Sequence, residues 1–468
     1  MNKRWIYDKK YIGNKQFYKS ALAIALPIML QNGITNFVSM LDNIMIGRVG
    51  TQQMTGVAIA NQLIFVFNLC IFGALSGAGI FGAQFHGKGD TEGVRNSFRY
   101  KVWICLILSA LGIAVLGIFG EDLIALYLKG EGTVENAAAS LEYGMSYMKI
   151  MLISFIPYAI CQIYSSTLRE TGETVLPMKA GIAAVLVNLV FNYILIYGNF
   201  GAPKLGVAGA AIATVISRFA ELFIVIFITH KRHEKYTFIN GIYKTLAVPA
   251  ALIKQITVRG MPLLINEGLW SAGMAMLSQC YSIRSQDVVA SINITNTLWN
   301  VFSVTFMAFG STVGIIVGHD LGAGEVERAK DNDRKLIALS LMVSVVVAGI
   351  YAAASGLFPN LYNVEENVRS LASEFIIVGA IFMPFNCVSH ASYFTLRAGG
   401  KTFVTFLFDS FFIWVLTVPL AFVLSRFTTL PVVPLYACIQ ALDIIKCILG
   451  LILIKKGVWI NNIVENKV

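Results

Sequence analysis

The stretch SGAGIFGAQFHGKGDTEGVRNSFR at residues 76–99 recurs in diverged form as STVGIIVGHDLGAGEVERAKDNDR at residues 311–334. The two stretches align without a gap, and the alignment extends back to residues 27 and 262. The matches are Pro27 with Pro262, Asn61 with Asn296, Phe67 with Phe302, Ser76 with Ser311, Gly79 with Gly314, Ile80 with Ile315, Gly87 with Gly322, Gly89 with Gly324, Glu92 with Glu327, and Arg99 with Arg334. This pattern indicates that one structural unit was duplicated.

The composition places the repeated unit in a membrane. The mean hydropathy is +0.69, and only 13% of the residues are charged, whereas soluble domains carry roughly 25%. A helix that crosses a bilayer needs ~20 mostly apolar residues. The apolar runs are continuous rather than alternating, which favours helices over a β-barrel. We predict an all-α integral membrane protein with twelve transmembrane helices near residues 20–47, 55–84, 102–120, 142–165, 178–198, 207–230, 259–282, 288–318, 336–359, 370–395, 402–425 and 432–454.

A second match predicts how these helices are organised. TLRETGET at residues 167–174 recurs as TLRAGGKT at residues 395–402, in the same order as the first match. The whole six-helix unit is therefore duplicated, giving two pseudo-symmetric six-helix bundles. Because each unit has six spans, both copies enter the membrane with the same topology, as in parallel transporter repeats. The predicted parts are an N-terminal segment 1–19, a first lobe 20–230, a linker 231–258, a second lobe 259–454 and a tail 455–468.

Lysine and arginine predict the orientation. If the N-terminus is cytoplasmic, the cytoplasmic segments carry 27 basic residues and the outer loops carry six. Basic residues concentrate in cytoplasmic loops, so we expect both termini inside the cell membrane. The same bias accounts for the net charge of +10, and we expect no nucleic-acid partner. The first apolar run is too long for a signal peptide, and we interpret it as a retained helix.

The sequence argues against an enzyme and against a cofactor. All seven cysteines lie within apolar runs without a CxxC pair, which is unlike a disulfide framework or a zinc site. The HExxH, GxSxG and Walker A patterns are absent from the sequence. A channel stays an alternative, although buried acids in both halves favour alternating access over an open pore. Recordings of single-channel current would separate these two possibilities.

Four polar residues of the first lobe form a candidate cation site. A carboxylate within a membrane span is costly, ~2.5–3.5 kcal/mol on insertion scales, so Asp42 is expected to be functional. Asn188 and Asn192 are four residues apart on one helix and share a face, and Thr214 lies in the next predicted helix. One carboxylate with three neutral oxygens suits a hard cation such as Na+. Alternatively, the amides and the hydroxyl hold helices together, with hydrogen bonds worth ~0.6 kcal/mol each.

The second lobe carries a different set of candidates. Glu267 lies five residues after Pro262, at a position where the first copy has Asn32. It is either a functional acid within the membrane or a shallow, solvated carboxylate near the cytoplasmic end of its helix. The minor candidates are Asn386, His390 and Asp409.

Helical spacing also predicts two local ion pairs. Arg218 and Glu221 are three residues apart, as are Asp443 and Lys446. Side chains at this spacing are neighbours on a helix surface. We expect both pairs to be structural, which leaves Asp409 without an obvious partner.

The chain resembles the MATE (multidrug and toxic compound extrusion) family of the MOP flippase superfamily over about residues 20–455. The resemblance rests on LPIMLQNGITNFVSMLDNIMIGRVG, GKGD, TLRETGET, NLVFNYILIYG and GVAGAAIATVISR in the first half. In the second half it rests on GMPLLINEGLW, IIVGHDLGAGE and TLRAGGKT. It implies antiport, in which Na+ or H+ enters while an organic, often cationic, compound leaves. A lipid-linked oligosaccharide flippase of the same superfamily is the alternative, but it would be expected to have ~14 helices and an arginine-lined cavity.

The resemblance also implies roles for particular residues. Asp42, Asn188, Asn192 and Thr214 match the cation site of the N-terminal half. Some members carry an aspartate where this chain has Asn192, so its absence favours Na+ over a purely proton-based scheme. Glu267 matches an acid assigned to cation coupling or to binding of cationic substrates. We expect a monomer whose partners are the bilayer and small organic substrates.

Overall fold

The computed structural model describes residues 11–128, 134–362 and 364–465, except for the side chains of Met40, Asn43, Val134 and Gln286. Eleven helices within these ranges are long and apolar enough to span a membrane. Ala250–Ser282 is a further helix of 33 residues, which lies outside this set of eleven. The twelve are α1 (Lys15–Gly47), α2 (Thr51–Lys88), α3 (Thr91–Leu128), α4 (Glu135–Glu170), α5 (Val175–Tyr197), α6 (Gly206–Lys231), α7 (Ala250–Ser282), α8 (Asp287–Gly322), α9 (Val326–Gly356), α10 (Glu366–Ala398), α11 (Thr402–Phe427) and α12 (Val432–Lys455).

Every predicted span coincides with one of these helices, and the all-α membrane fold is confirmed. Several helices begin well before their apolar run. Helix α3 starts at Thr91 and α9 starts at Val326, about ten residues ahead of the predicted starts. Hydropathy detects only the part of a helix that crosses hydrocarbon. A helix of 38 residues such as α3 extends over roughly 57 Å at 1.5 Å per residue, which exceeds a hydrocarbon core of about 30 Å.

The glycines that match between the two copies end equivalent helices. Gly89 after α2 and Gly324 after α8 both have φ of +78°. In each turn the N–H of the following residue bonds back to a carbonyl five residues earlier, from Asp90 to Phe85 and from Glu325 to Asp320, both at 2.9 Å. This is the Schellman arrangement, and glycine adopts its left-handed residue without steric cost. The glycines of the two TLR motifs adopt the same conformation, with φ of +83° at Gly172 and +70° at Gly400.

The chain divides into two compact units. The first contains the described residues of Met1–Met29, Ala83–Asp90 and Gln255–Val468, and the second contains Leu30–Gly82 and Thr91–Lys254. The division falls inside α1, inside α2 and inside α7. The lobe boundaries expected from the sequence stay a prediction.

Irregular turns interrupt helices α4 and α11. Helix α4 passes through a 3₁₀ turn at Leu152–Ser154. Helix α11 contains wide π turns at Leu407–Phe411 and Ile413–Thr417, and the first of them includes Asp409. Such π segments are rare and occur often at functional sites.

Candidate functional site

Three helices of the second unit bring the four predicted cation-site residues together. Asp42 lies on α1, Asn188 and Asn192 lie one turn apart on α5, and Thr214 lies on α6. Asn192 Nδ2 donates to Asp42 Oδ1 at 2.7 Å and also to Asn188 Oδ1 at 3.1 Å. Asn188 Nδ2 donates to Thr214 Oγ1 at 3.2 Å. The four side chains therefore form one connected polar cluster.

The Asn188 amide lies directly against the Asp42 carboxylate. In the orientation that accepts from Asn192 Nδ2, Asn188 Oδ1 also lies 3.0 Å from Asp42 Oδ2 and 3.1 Å from Asp42 Oδ1. If the amide is rotated, its nitrogen donates to both carboxylate oxygens and its oxygen accepts from Thr214. An amide oxygen and a carboxylate oxygen at this distance repel each other. The repulsion is removed if a positive charge lies between them or if the amide rotates. In either orientation, the Asn188 amide lies between the Asp42 carboxylate and the Thr214 hydroxyl.

A further oxygen at this site has no partner among the described residues. Asn192 is 1% exposed, and its Oδ1 accepts no hydrogen bond there. Buried polar atoms without partners are uncommon and costly. The cluster therefore offers one carboxylate, two amide oxygens and a hydroxyl, with one amide oxygen still unsatisfied. This oxygen-only set fits a hard monovalent cation.

Tyr147 on α4 belongs to the same neighbourhood, although the sequence analysis did not single it out. The side chain is buried, and its hydroxyl lies beside Thr214 and Asn61. Asn61 is one of the residues shared by the two sequence copies, which was the available signal. Tyr147 links α2 and α6 to the edge of the Asp42 cluster.

The first unit holds the other predicted residues. Glu267 on α7 lies next to the Tyr393 hydroxyl, and both residues are close to Arg397. Asp409 also lies near Glu267. Glu267 is partly buried, and its surroundings contain ionic and phenolic groups.

Asp409 has a partner that its own helix could not reveal. Lys446 Nζ on α12 donates to Asp409 Oδ1 at 2.6 Å, and Asn266 Nδ2 donates to Asp409 Oδ2 at 3.0 Å. The predicted pairing of Asp443 with Lys446 is therefore wrong. Asp443 accepts from Asn386 Nδ2 at 3.2 Å instead. The long lysine side chain reaches across to α11, and spacing along one helix carries no information about a neighbouring helix.

The remaining candidates fall around this ion pair. His390 on α10 is close to both Lys446 and Asp409. Asn266 also fixes the π turn of α11, because its Oδ1 accepts from the Ser410 backbone N–H at 3.2 Å and from the Ser410 hydroxyl at 2.7 Å. Asn386, His390, Asp409 and Glu267 thus lie in one polar region of the first unit.

The other predicted ion pair is confirmed, and the sequence analysis missed a second one. Arg218 Nη1 lies 3.3 Å from Glu221 Oε2. Lys101, which is fully buried, lies 2.6 Å from Glu170 and also donates to Thr167 at 3.0 Å. A Cβ on Gly79 or Gly82 of α2 would overlap the Glu170 carboxylate. Glycine at these two α2 positions therefore makes room for a buried ion pair between α3 and α4.

Several proteins resemble this chain along nearly its whole length. The "Probable multidrug resistance protein NorM" of Thermotoga maritima is 26% identical over 463 residues, which is 97% of each chain. The "Multidrug resistance protein PmpM" of Pseudomonas aeruginosa is 25% identical over 409 residues, which is 87% of this chain and 84% of that protein.

Solved structures share the fold at lower identity. A mutant of the Vibrio cholerae MATE transporter VcmN matches with a TM-score of 0.83 at 17% identity, covering 95% of this chain and 97% of that one. An outward-facing multidrug resistance MATE family transporter of the MOP superfamily matches with a TM-score of 0.81 at 17% identity, covering 96% and 97%.

The MatE family model matches this chain twice, at residues 27–194 and at residues 262–423. The two matches begin at the two prolines with which the internal repeat begins, so the duplication is confirmed independently. Together they cover well over half of the chain. The chain belongs to the MatE family of multi-pass membrane transporters and is not an enzyme.

Proposed function

We propose that this protein is a secondary active multidrug efflux antiporter. It exports organic compounds, often cationic, in exchange for Na+ or H+ by alternating access, in the cell membrane with both termini cytoplasmic. The observation that carries the proposal is the connected polar cluster of Asp42, Asn188, Asn192 and Thr214 in a chain of this family. Several relatives are named as multidrug resistance proteins.

The coupling ion binds at Asp42 in this proposal. Asp42 supplies the negative charge, while Asn188, Asn192 and Thr214 supply neutral oxygens. A bound Na+ would use the unsatisfied Asn192 Oδ1, whereas a proton would need only the carboxylate and one acceptor. The donor set therefore supports Na+, and H+ remains the second candidate.

Coupling requires the cation to favour one conformation over another. A ligand shifts a conformational equilibrium only through its differential affinity for the two states. The Asp42 cluster joins α1, α5 and α6, so an ion bound there would strengthen the packing of three helices. A conformation that separates Asp42 from α5 loses the ion, and the free energy of ion binding can thereby drive release of substrate outward.

The polar region of the first unit supports the substrate side of the proposal. Glu267 and Asp409 supply negative charge within membrane helices, where acidic residues are expensive and therefore point to function. Lys446 already neutralises Asp409. Glu267 is accordingly the group assigned to a cationic substrate or to a second coupling ion.

Efflux from proteoliposomes tests the proposal. We would load a fluorescent organic cation and impose either a Na+ gradient or a pH gradient across the bilayer. The proposal expects one gradient to accelerate efflux, and Asp42→Asn to abolish that acceleration. The matched control is Asp122→Asn, because Asp122 is an exposed acid at the end of α3, and it should transport like wild type. Equal coupling in Asp42→Asn and wild type would remove Asp42 from the mechanism, and efflux that responds to neither gradient would refute antiport.

A further inference from the structure

The residues that follow α12 are held against the protein, although they have left the last apolar helix. We call residues 456–465 the strap. Trp459, Ile463 and Val464 of the strap are buried, with Trp459 only 1% exposed. The Trp459 indole N–H donates to the Ile454 carbonyl at 3.2 Å and thereby folds the strap back onto α12. A segment of this kind, predicted to face the cytoplasm, is expected to be solvated unless something binds it.

Gln84 near the end of α2 makes the most specific contacts to the strap. Its Nε2 donates to the Asn461 carbonyl at 3.2 Å and to the Ala398 carbonyl at 2.9 Å. Its Oε1 accepts from the Ile463 N–H at 2.9 Å. Gln84 is fully buried. Its side-chain amide both donates to and accepts from backbone atoms of the strap, as a backbone peptide group would. Both ends of this amide are satisfied by backbone atoms, two of them in the strap itself.

Lys88, one turn further along α2, adds a second attachment. Its Nζ donates to the Val464 carbonyl at 2.5 Å and approaches the Glu465 carbonyl at 3.5 Å. Gln84 and Lys88 are four residues apart and share a face of the helix. The end of α2 therefore binds the strap backbone at two successive points.

The turn between α10 and α11 forms the other wall of this binding site. Asn461 Nδ2 donates to the Gly399 carbonyl at 3.2 Å. A Cβ on Gly399 would overlap the Trp459 backbone, and a Cβ on Gly400 would lie 2.9 Å from the Ile463 side chain. Two consecutive glycines thus leave the space that the strap occupies.

The corresponding segment of the first copy is held differently. The residues after α6 are bound by α3 of their own copy, where Arg95 donates to the Phe238 carbonyl at 3.2 Å and Arg99 donates to the Ile242 carbonyl at 3.1 Å. The strap instead binds α2, which comes from the other copy. The segment after α6 is thus bound within the first copy, whereas the strap, which follows the second copy, is bound by residues of the first copy.

We propose that the end of α2 and the Gly399–Gly400 turn form a binding site for the strap, and that the strap is a releasable latch in the transport cycle. The proposal rests on the proposed function, because alternating access requires the helices of the two copies to move relative to one another. Strap residues bonded to Gln84 and Lys88 resist separation of α2 from α10 and α12. Release of the strap is then a step of each cycle.

Cross-linking tests the latch directly. We would place Lys88→Cys and Val464→Cys in a Cys438→Ser background, because Cys438 is the exposed cysteine among the described residues. A short, reducible bis-thiol reagent should stop efflux of the fluorescent cation, and a reductant should restore it. Each single cysteine variant, treated in the same way, controls for modification alone. Undiminished efflux by the cross-linked protein would overturn the latch. If untreated wild type shows no efflux at all, the proposed function is refuted instead.

Labelling of the strap gives a readout that does not depend on transport. Val464→Cys should react slowly with a membrane-impermeant maleimide, and Gln84→Ala should accelerate that reaction at least severalfold. The matched control is Lys456→Ala, because Lys456 is an exposed strap residue, and it should leave the labelling rate unchanged. Equal labelling rates in the presence and absence of Gln84 would show that the strap is not held by α2, and the proposal would fail.

Discussion

Asn192 Nδ2 lies 2.7 Å from Asp42 Oδ1, which joins α5 to α1 across 150 residues of sequence. The same amide nitrogen contacts Asn188, while the amide oxygen of Asn192 has no hydrogen-bond partner among the described residues. Asn192 is therefore the residue through which the acid on α1 and the polar face of α5 act as one site. Its amide nitrogen donates to the carboxylate, and its amide oxygen is the atom that the proposed coupling ion would use.

Replacement of Asn192 by alanine is expected to weaken cation binding. The variant loses the amide oxygen proposed as a ligand, and hydrogen bonds to charged groups are worth about 1.5–3 kcal/mol. We expect the Na+ concentration for half-maximal efflux to rise about tenfold or more, as measured in proteoliposomes. Asn199→Ala, which removes an amide that bonds to the Tyr193 carbonyl outside the cluster, serves as the control. An unchanged Na+ dependence in Asn192→Ala would contradict a ligand role for this residue.

The buried ion pair of Lys101 and Glu170 is expected to respond strongly to loss of one partner. Lys101 is fully buried and the Glu170 side chain is 11% exposed, so either single variant leaves an uncompensated charge. Such a change typically costs about 3–5 kcal/mol. Lys101→Met and Glu170→Gln should each lower the thermal midpoint in detergent, and the double variant should recover part of the loss.

The control for this pair is Glu327→Gln. Glu327 pairs with Lys330 at 2.6 Å, and its side chain is 87% exposed. Exposed pairs contribute only about 0–1 kcal/mol. A Lys101→Met variant no less stable than Glu327→Gln would show that the buried pair is not needed for stability.

Two matched glycines set the distance between α2 and α8, and enlarging one of them is expected to destabilise the protein. A Cβ on Gly322 would overlap the Gln84 backbone, and a Cβ on Gly87 would overlap the His319 backbone. Because both obstacles are backbone atoms, the helices must shift, and overpacking of this kind costs about 1–3 kcal/mol. Gly322→Ala should lower the thermal midpoint. Gly349→Ala, where nothing lies within 4 Å of the added atom, should not lower it, and equal midpoints for the two variants would refute the close approach.

The attachment of the linker after α6 to Glu173 is expected to weaken at acidic pH. Partial burial alone would raise the pKa of the Glu173 carboxyl, but hydrogen bonds from Lys235, the Leu176 N–H and Tyr236 hold this pKa below its ordinary value of 4.5. A carboxyl whose pKa is lower in the folded state contributes stability above the unfolded pKa and loses it as pH falls through the folded pKa. The contribution of Glu173 to the stability of the linker attachment should therefore be lost as the pH falls below about 4.5.

Protection of the linker backbone from hydrogen exchange measures this effect. We expect protection of residues 235–242 to fall as pH is lowered below 4.5, after correction for the intrinsic exchange rate. Glu173→Gln should show weaker protection at neutral pH and little further loss in acid. A wild-type profile that parallels the variant at every pH would exclude Glu173 as the attachment.

The sequence by itself determined the class of fold and its duplication. Continuous apolar runs allow only helices in lipid, and the matched glycines mark turns that both copies need, as the positive φ angles of Gly89 and Gly324 confirm. It also singled out Asp42, because an acid within an apolar helix is costly, and it placed Asn188 and Asn192 on one face through their i,i+4 spacing. That these residues and Thr214 form one site was implied by the resemblance to the MATE family.

Only the tertiary structure decided which charges pair between helices. Lys446 bonds to Asp409 rather than to Asp443, and Lys101 reaches Glu170 across 69 residues. The strap likewise binds Gln84, which is 379 residues from Ile463. Periodicity describes one helix at a time, whereas a buried charge or peptide group takes whichever partner the packing of several helices brings within about 3 Å.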